Sequence, residues 1–302
     1  METVTMLRRF TLISLYLGLL CLLAGTGLAS QSNTVLYAKD SIYQVLSVEQ
    51  VGSVRRLYGG RMSFSALDLE QPYRHVLEYT GMMILGMAYV ERPQKILMIG
   101  LGAGTVATYL RKYYPDLRMT LVELDPDVVM CARKFFNFQA DAGMRVEVQD
   151  GRWFLMRDTT TYDVIFLDAY HGDYIPFHLL TKEFLQLVKQ HLTPRGVVVA
   201  NTWVHQALAI RESATYASVF GQFDSYEGKR SGNRIVIAAN SSNHHEEPDI
   251  MQKMAATQAT NQFQEVNLPQ LFKSTYDADV SWPKDTTLLT DDYAPVNTLM
   301  GW

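Results

Sequence analysis

The chain has 302 residues, of which 48% are hydrophobic, so it is long enough for one large α/β domain and a small additional module. Its formal net charge of -4 and the lack of a basic tract exclude the electrostatic footprint of a nucleic-acid-binding protein. Its two cysteines, Cys21 and Cys131, lie in an apolar segment and a predicted helix, which excludes a disulfide framework and a cysteine-rich metal site.

The first thirty residues have the composition of an export signal or a membrane anchor. Arg8 and Arg9 precede an apolar run over residues 10–23, and small residues follow as far as Ala29. This order is typical of a cleaved signal, and the run is also long enough for one membrane-spanning helix. Both alternatives stay open for residues 1–30. Either one predicts that the rest of the chain is exported or membrane-anchored, outside the cytoplasm.

Residues 31–70 are predicted to form a small β-hairpin module in front of the main domain. β-rich runs on both sides of Gly52 indicate the hairpin, and a further short strand is expected at residues 62–69. Pro72 then opens a predicted helix with a broad apolar face, which ends before Pro93.

Strands and helices alternate regularly from Lys95 onward. Short apolar runs predict strands at residues 96–99, 119–123, 145–149, 163–167 and 197–201, and two closing strands at 225–227 and 234–239. Strands that alternate with helices indicate an α/β fold with a doubly wound, mostly parallel sheet. We assign this Rossmann-type catalytic domain to residues 71–302.

Glycines and a carboxylate follow the first two of these strands. Gly100, Gly102 and Gly104 allow a sharp turn and a close approach of the backbone to a ligand. Glu123 ends the next strand about 20 residues later, where a carboxylate can accept hydrogen bonds from ribose hydroxyls. Because ligands of parallel sheets bind beyond the carboxyl ends of the strands, this pattern predicts a nucleoside-type ligand. A plain tight turn is the alternative.

Three aspartates follow the strands in the same way. Asp125 suits the N-cap of a helix that begins at Pro126. Asp150, before Gly151, either caps a helix or accepts a hydrogen bond from an exocyclic adenine amino group. Asp168 ends the fourth parallel strand at the mouth of the crevice, where a carboxylate either takes a proton from an amine or holds an ammonium. A simple loop cap is the alternative for Asp168.

The run over residues 96–201 resembles the spermidine synthase family of polyamine aminopropyltransferases, which has the class I methyltransferase fold. Four motifs carry the resemblance in the family's order and spacing: MIGLGAGTVATYL, TLVELDPDVV, VQDGRWFL and YDVIFLDAY. The resemblance implies a site for decarboxylated S-adenosylmethionine, or for S-adenosylmethionine, as the donor substrate. It implies that this molecule is bound by Gly100, Gly102, Gly104, Glu123, Asp125, Asp150 and Gly151.

The resemblance also implies roles on the side of the amine acceptor. Asp168 matches the catalytic aspartate of the family, and Tyr73 matches the tyrosine that helps to position the amine. Together with His171 and Asp173, they are the expected contacts of a small-molecule amine. The implied reaction is in-line displacement at the carbon beside a sulfonium, and no metal is required because the sulfonium supplies the leaving group. Dimers are common in the families that the chain resembles, so a homodimer is expected.

Several positions depart from the family's pattern. Ala103 replaces an aspartate that grips the aminopropyl ammonium, Met62 replaces a glutamine, and His171 stands where a second aspartate is usual. Arg74 follows Tyr73 and is expected to repel a polyamine. Because a dicationic diamine needs several carboxylates to replace its hydration, we expect that putrescine is not the acceptor or binds weakly.

Three functions from different classes agree with these residues. The first is aminopropyl transfer by a spermidine synthase-like enzyme, which the presence of both Tyr73 and Asp168 favours. The second is methyl transfer from intact S-adenosylmethionine, since Ala103 leaves room for a carboxylate-bearing donor. The third is a non-catalytic nucleoside-binding domain, which export favours because these donor substrates are made in the cytosol.

Overall fold

The computed structural model describes residues 32–170, 175–204, 206–241 and 247–300. The predicted export segment and the predicted acceptor contacts His171 and Asp173 lie outside these ranges. The unit Thr34–Trp302 contains two β-sheets, a small antiparallel one and a large mixed one.

The small sheet is a four-stranded antiparallel meander with the strand order β1-β2-β3-β4. Its strands are β1 (Thr34–Asp40), β2 (Val45–Val51), β3 (Val54–Gly59) and β4 (Met62–Asp68). The predicted N-terminal β module is confirmed, but it has one more strand than expected. β1 is an edge strand with mostly exposed residues, so it lacks the alternation of apolar and polar residues by which half-buried strands are recognised. The assignment of a separate domain that ends at residue 70 stays a prediction.

The large sheet has eight strands in the order β12-β10-β11-β9-β8-β5-β6-β7. Its strands are β5 (Lys95–Ile99), β6 (Arg118–Glu123), β7 (Met144–Val148), β8 (Tyr162–Leu167), β9 (Leu192–Trp203), β10 (Asp224–Glu227), β11 (Asn233–Ala239) and β12 (Tyr276–Asp277). The five strands from β9 to β7 are parallel, and the other three extend the sheet in antiparallel fashion. The predicted α/β fold is therefore confirmed, with a mixed sheet.

Helices cover both faces of the large sheet, as in a doubly wound fold. The helices are α1 (Glu78–Met83), α2 (Thr105–Tyr113), α3 (Pro126–Phe135), α4 (Gly151–Leu155), α5 (Lys182–Gln190), α6 (Gln206–Phe220), α7 (Glu247–Asn261), α8 (Leu268–Thr275) and α9 (Val296–Met300). Alternate residues of β5 enter two separate cores, Ile96 and Met98 on one face, Leu97 and Ile99 on the other. Because both faces of the strand are buried, its sequence is a continuous apolar run.

The helix that the sequence predicts from Pro72 is shorter than expected. α1 begins only at Glu78, and the chain continues from it as a 3-10 helix, Ile84–Tyr89. Gly86 lies so close to Val199 of β9 that a Cβ atom there would overlap the valine side chain. The apolar face is broad because all six residues of the 3-10 helix are buried.

The small sheet packs against α3, which follows β6 at the carboxyl edge of the parallel strands. Leu46 and Leu57 of the sheet share a buried cluster with Val128 and Cys131 of the helix. An ion pair between Lys39 Nζ and Asp127, 2.7 Å long, joins β1 to the first turn of α3. The small sheet is thus held beside the edge at which the sequence predicts a ligand.

Candidate active site

A cleft opens at the carboxyl edge of the parallel strands, where ligands of such sheets bind. The structure brings seven of the predicted site residues together in its walls. They are Gly100, Gly102, Glu123, Asp125, Asp150, Gly151 and Asp168. Gly104 is not in the wall; it occupies the N-cap position of α2 and packs against Phe138.

The first two glycines of the loop are required by close contacts as well as by backbone conformation. Gly100 has a φ of 95°, and a Cβ atom there would overlap the backbone carbonyl of Asp168. Gly102 has a φ of 55°, and a Cβ atom there would overlap Ser65 Oγ. Such positive φ values favour glycine, and the absence of side chains leaves the loop backbone open to the cleft.

Glu123 presents its carboxylate to the cleft at the end of β6. Its Oε2 accepts from the Leu101 N–H at 3.0 Å, and its Oε1 accepts from the Asp125 N–H at 3.0 Å. Burial raises the pKa of Glu123, and these backbone hydrogen bonds oppose that effect. Because each carboxylate oxygen has two lone pairs, both oxygens can still accept from the hydroxyls of a ribose.

Asp125 has a structural role in addition to its place in the wall of the cleft. Its Oδ1 accepts from the Asp127 N–H at 2.9 Å, which caps α3 as the sequence predicts. Its Oδ2 accepts from Ser41 Oγ at 2.6 Å and so ties the small sheet to this helix. Ligand binding by Asp125 stays a prediction.

Asp150 has the first of the two roles that the sequence leaves open, the cap of a helix, and contact with an adenine amino group stays a prediction. Its Oδ1 accepts from the Trp153 N–H at 2.9 Å, which caps α4. Its Oδ2 lies 2.8 Å from Nε2 of His178, in a loop that borders the same cleft. Burial raises the pKa of Asp150, but the hydrogen bonds from His178 and the α4 backbone outweigh it and keep the pKa below its usual range. The carboxylate is therefore ionised and able to accept a further hydrogen bond.

Asp168 lies in the wall between β5 and β9, partly buried. Removal of water raises the pKa of its carboxyl to about 7, against the opposing effect of the hydrogen bond from Asn201. Asn201 Nδ2 donates to Oδ1 of Asp168 at 2.8 Å, and its own Oδ1 accepts from Asn233 Nδ2 at 2.9 Å. This chain of amides fixes the orientation of Asn201 and leaves a carboxylate that can gain or lose a proton near neutral pH.

The structure places Tyr73 and Arg74 differently from the expectation. The Tyr73 ring does not line the cleft and lies under Nζ of Lys112, 4.0 Å from the ring centroid. Arg74 also lies outside the cleft wall and forms an ion pair with Asp68, with Nη2 and Oδ2 2.6 Å apart. The expectation that Arg74 repels a polyamine is wrong, because its charge is already neutralised by this carboxylate.

Several residues of the cleft wall are not assigned to the site from the sequence, among them Tyr43, Gln44, Tyr79 and His178. The Tyr79 hydroxyl lies beside the Asp168 carboxylate and donates to the Phe64 carbonyl at 2.8 Å. Gln44 Oε1 is buried and has no hydrogen-bond partner. The only local signal for Gln44 is its place just before an apolar strand, and Tyr79 is hidden in an apolar helix face.

Comparisons with known proteins show which family the chain resembles. The family model described as spermine/spermidine synthase domain matches residues 77–227. A polyamine aminopropyltransferase of Vibrio vulnificus is 36% identical over 298 residues, which cover 95% of this chain and 98% of that protein. These matches confirm the predicted resemblance and the prediction of a spermidine synthase-like transferase.

Solved structures with low sequence identity share the fold. A probable spermidine synthase from Corynebacterium glutamicum superposes with a TM-score of 0.63 at 22% identity and covers 84% of this chain and 99% of its own. Human methyltransferase-like protein 13, in complex with SAH, superposes with a TM-score of 0.57 at 22% identity over 70% of this chain and 98% of its own. The predicted class I methyltransferase-like fold is thereby confirmed.

The predicted export or membrane anchorage is corrected. Within the ranges that the structure describes, no helix has both the length and the apolar character needed to cross a bilayer. The family matches give export no support either, and we withdraw that prediction. In the same ranges no cluster of three or more metal-ligating side chains occurs. The metal-free reaction and the homodimer stay predictions.

Two independent lines of evidence therefore converge. The cleft has carboxylates at the strand ends where the family's motifs place them, and the Vibrio relative matches nearly the whole length of both chains. The chain belongs to the spermine/spermidine synthase family.

Proposed function

We propose that this protein transfers the aminopropyl group of decarboxylated S-adenosylmethionine to a small-molecule amine. The observation that carries the proposal is Asp168, a carboxylate in the cleft wall whose pKa is about 7. A base with a pKa near the working pH is suited to accept a proton from an amine that must become a nucleophile.

The donor substrate is proposed to lie along the carboxyl edge of the sheet. Asp150 accepts from the adenine amino group, and Glu123 accepts from the ribose hydroxyls. The loop from Gly100 to Gly102 leaves space for the sugar and the sulfonium. Gln44 Oε1, a buried acceptor without a partner, is suited to the aminopropyl ammonium, because a buried acceptor gains most from a charged donor.

The proposed reaction is a single displacement. Asp168 takes a proton from the protonated amine, and the nitrogen lone pair attacks the propyl carbon that is bonded to sulfur. The new carbon–nitrogen bond forms as the carbon–sulfur bond breaks, and its electron pair stays on sulfur, which becomes the neutral thioether of methylthioadenosine. The two protons left on nitrogen stay with the product, which forms as a secondary ammonium. The protein contributes alignment of the two reacting atoms, about 3–3.5 Å apart.

Tyr79 replaces Tyr73 in our proposal for the acceptor side. Its hydroxyl lies beside the carboxylate of Asp168, where it can orient the incoming amine. Tyr73 contacts Lys112 instead. We keep the proposal that putrescine is a weak acceptor, because Ala103 is completely buried and supplies no carboxylate.

The test is a product assay with purified protein, decarboxylated S-adenosylmethionine and a panel of monoamines and diamines. We expect equal amounts of methylthioadenosine and one aminopropylated amine by mass spectrometry. Asp168→Asn should abolish both products, whereas Asp116→Asn, the same change at an exposed position, should preserve them. Methylated amine from intact S-adenosylmethionine, without aminopropyl transfer, would establish the methyltransferase alternative. Tight binding and turnover of putrescine would overturn the proposal about the acceptor.

A further inference from the structure

His178 and Asp150 form a hydrogen-bonded pair at the end of the cleft opposite to Asp168. His178 Nε2 lies 2.8 Å from Asp150 Oδ2, and both residues line the cleft. An ionised carboxylate only accepts hydrogen bonds, so Nε2 carries the proton and donates it. The other oxygen of Asp150 accepts from the Trp153 N–H, and the carboxylate is therefore fixed at both oxygens.

The His178 loop is held from its backbone side as well. Arg152 Nη1 donates to the His178 carbonyl at 3.1 Å. Two hydrogen bonds of 2.7 and 2.5 Å hold the Arg152 guanidinium to the carboxylate of Asp291, and Thr181 Oγ1 donates to the same carboxylate at 2.7 Å. A bidentate pair of this kind restricts the orientation of the guanidinium more than a single hydrogen bond does. The backbone at His178 is thus held by groups that are not part of the cleft wall.

We propose that His178 is a positioning residue that aims the Asp150 carboxylate at the 6-amino group of adenine, so that the cleft selects 6-aminopurine nucleosides. The inference rests on the proposed function, in which Asp150 receives that amino group. A carboxylate fixed by two donors keeps lone pairs on the cleft side and loses little orientational freedom when the ligand binds. Without the imidazole, water would hydrate Oδ2, and the ligand would have to displace it.

The test compares two ligands across four proteins by titration calorimetry. The ligands are methylthioadenosine and its analogue with hydrogen in place of the 6-amino group. The proteins are the wild type, His178→Ala, His178→Gln and Gln186→Ala. Gln186→Ala is the matched control, because Gln186 lies on α5, is exposed and does not line the cleft.

We expect His178→Ala to weaken binding of methylthioadenosine about tenfold and to change binding of the analogue less than about twofold. His178→Gln should restore most of the loss, because its amide nitrogen can donate to the same oxygen. Gln186→Ala should bind both ligands as the wild type does. Thermal melting of each variant without ligand measures any loss of folding separately.

Three outcomes would overturn the inference. Equal weakening for both ligands would show that His178 only supports the loop. Unchanged or tighter binding of methylthioadenosine by His178→Ala would show that the imidazole does not help, or occupies the place of the amino group. If the wild-type protein binds neither ligand, the proposed function itself is overturned. That failure is distinguishable from failure of the inference about His178, because it is seen in the wild type without any variant.

Discussion

Asp168 and Asp150 show how the same side chain acquires different chemistry from its surroundings. Burial dominates at Asp168 and raises its pKa to about 7, whereas donated hydrogen bonds keep the pKa of Asp150 below its usual range. One carboxylate is therefore able to exchange a proton near neutral pH, and the other stays ionised as an acceptor. This division suits a base at one end of the cleft and a recognition group at the other.

The first prediction concerns the rate of transfer. Turnover by the wild type should rise with pH through about 7, because the carboxylate form of Asp168 accepts the proton. Asp168→Asn should lower kcat about 10²–10⁴-fold. It should also remove the rise in turnover with pH around 7. Steady-state assays from pH 5 to 9 measure both. A variant that keeps the wild-type profile would show that another group is the base.

The second prediction concerns stability and follows from the same pKa. The folded-state pKa of about 7 lies above the ordinary value of 3.8, so the folded protein binds the proton more tightly than the unfolded chain. The stability that this proton confers is present at low pH and is lost as pH rises toward 7. Relative to the wild type, Asp168→Asn should become more stable as pH increases from about 4 to 7, by roughly 1–3 kcal/mol, and level off above that.

Denaturant unfolding of both proteins at several pH values measures this difference. A constant difference in the free energy of unfolding across the range would contradict a raised pKa. The comparison needs no substrate, so it tests the electrostatics of the cleft separately from catalysis.

At the scale of elements, the unit from β5 through the glycine loop to β6 was predictable from the sequence. Its signals are local: an apolar run, glycines where φ is positive, and Glu123 at the next strand end. Tyr79 and His178 were not predictable, because tertiary packing alone brings them to the cleft. The role of Arg74 was not predictable either, because the sequence does not show that its side chain pairs with Asp68 at the end of β4.

The third prediction concerns the glycine loop. Gly102→Ala should destabilise the protein by roughly 1–3 kcal/mol through its positive φ, and further through overlap with Ser65 Oγ. Gly221→Ala is the matched control, because Gly221 has a φ of 82° and nothing within 4 Å of a Cβ atom. Denaturant unfolding measures the free energy of unfolding that each variant loses. The difference between the two losses gives the contribution of the overlap between the new Cβ atom and Ser65 Oγ. Equal losses would mean that the loop tolerates a side chain.

At the scale of the whole molecule, both sheets contribute to one cleft. Phe64 of β4 and Tyr43 and Gln44 of the β1–β2 loop come from the small sheet's side. Glu123 ends β6 and Asp168 follows β8 on the side of the large sheet. The large sheet follows from the alternation of strands and helices in the sequence. The way the small sheet closes over its edge does not, because it depends on contacts such as the one from Ser41 Oγ to Asp125.

The fourth prediction follows from this shared cleft. Methylthioadenosine at about 100 times its Kd should stabilise the protein by about 2.7 kcal/mol and raise Tm by a few degrees in one transition. Glu123→Gln should reduce the shift, because an amide offers fewer acceptors to the ribose. Glu91→Gln, at an exposed position, should keep it. A full shift in Glu123→Gln would contradict ribose binding at β6.

The most direct measurement is a crystal structure of the protein with methylthioadenosine. We expect the ribose hydroxyls to lie within hydrogen-bond distance of Glu123 and the thioether sulfur to face Asp168. An empty cleft, or a nucleoside whose sulfur points away from Asp168, would contradict it.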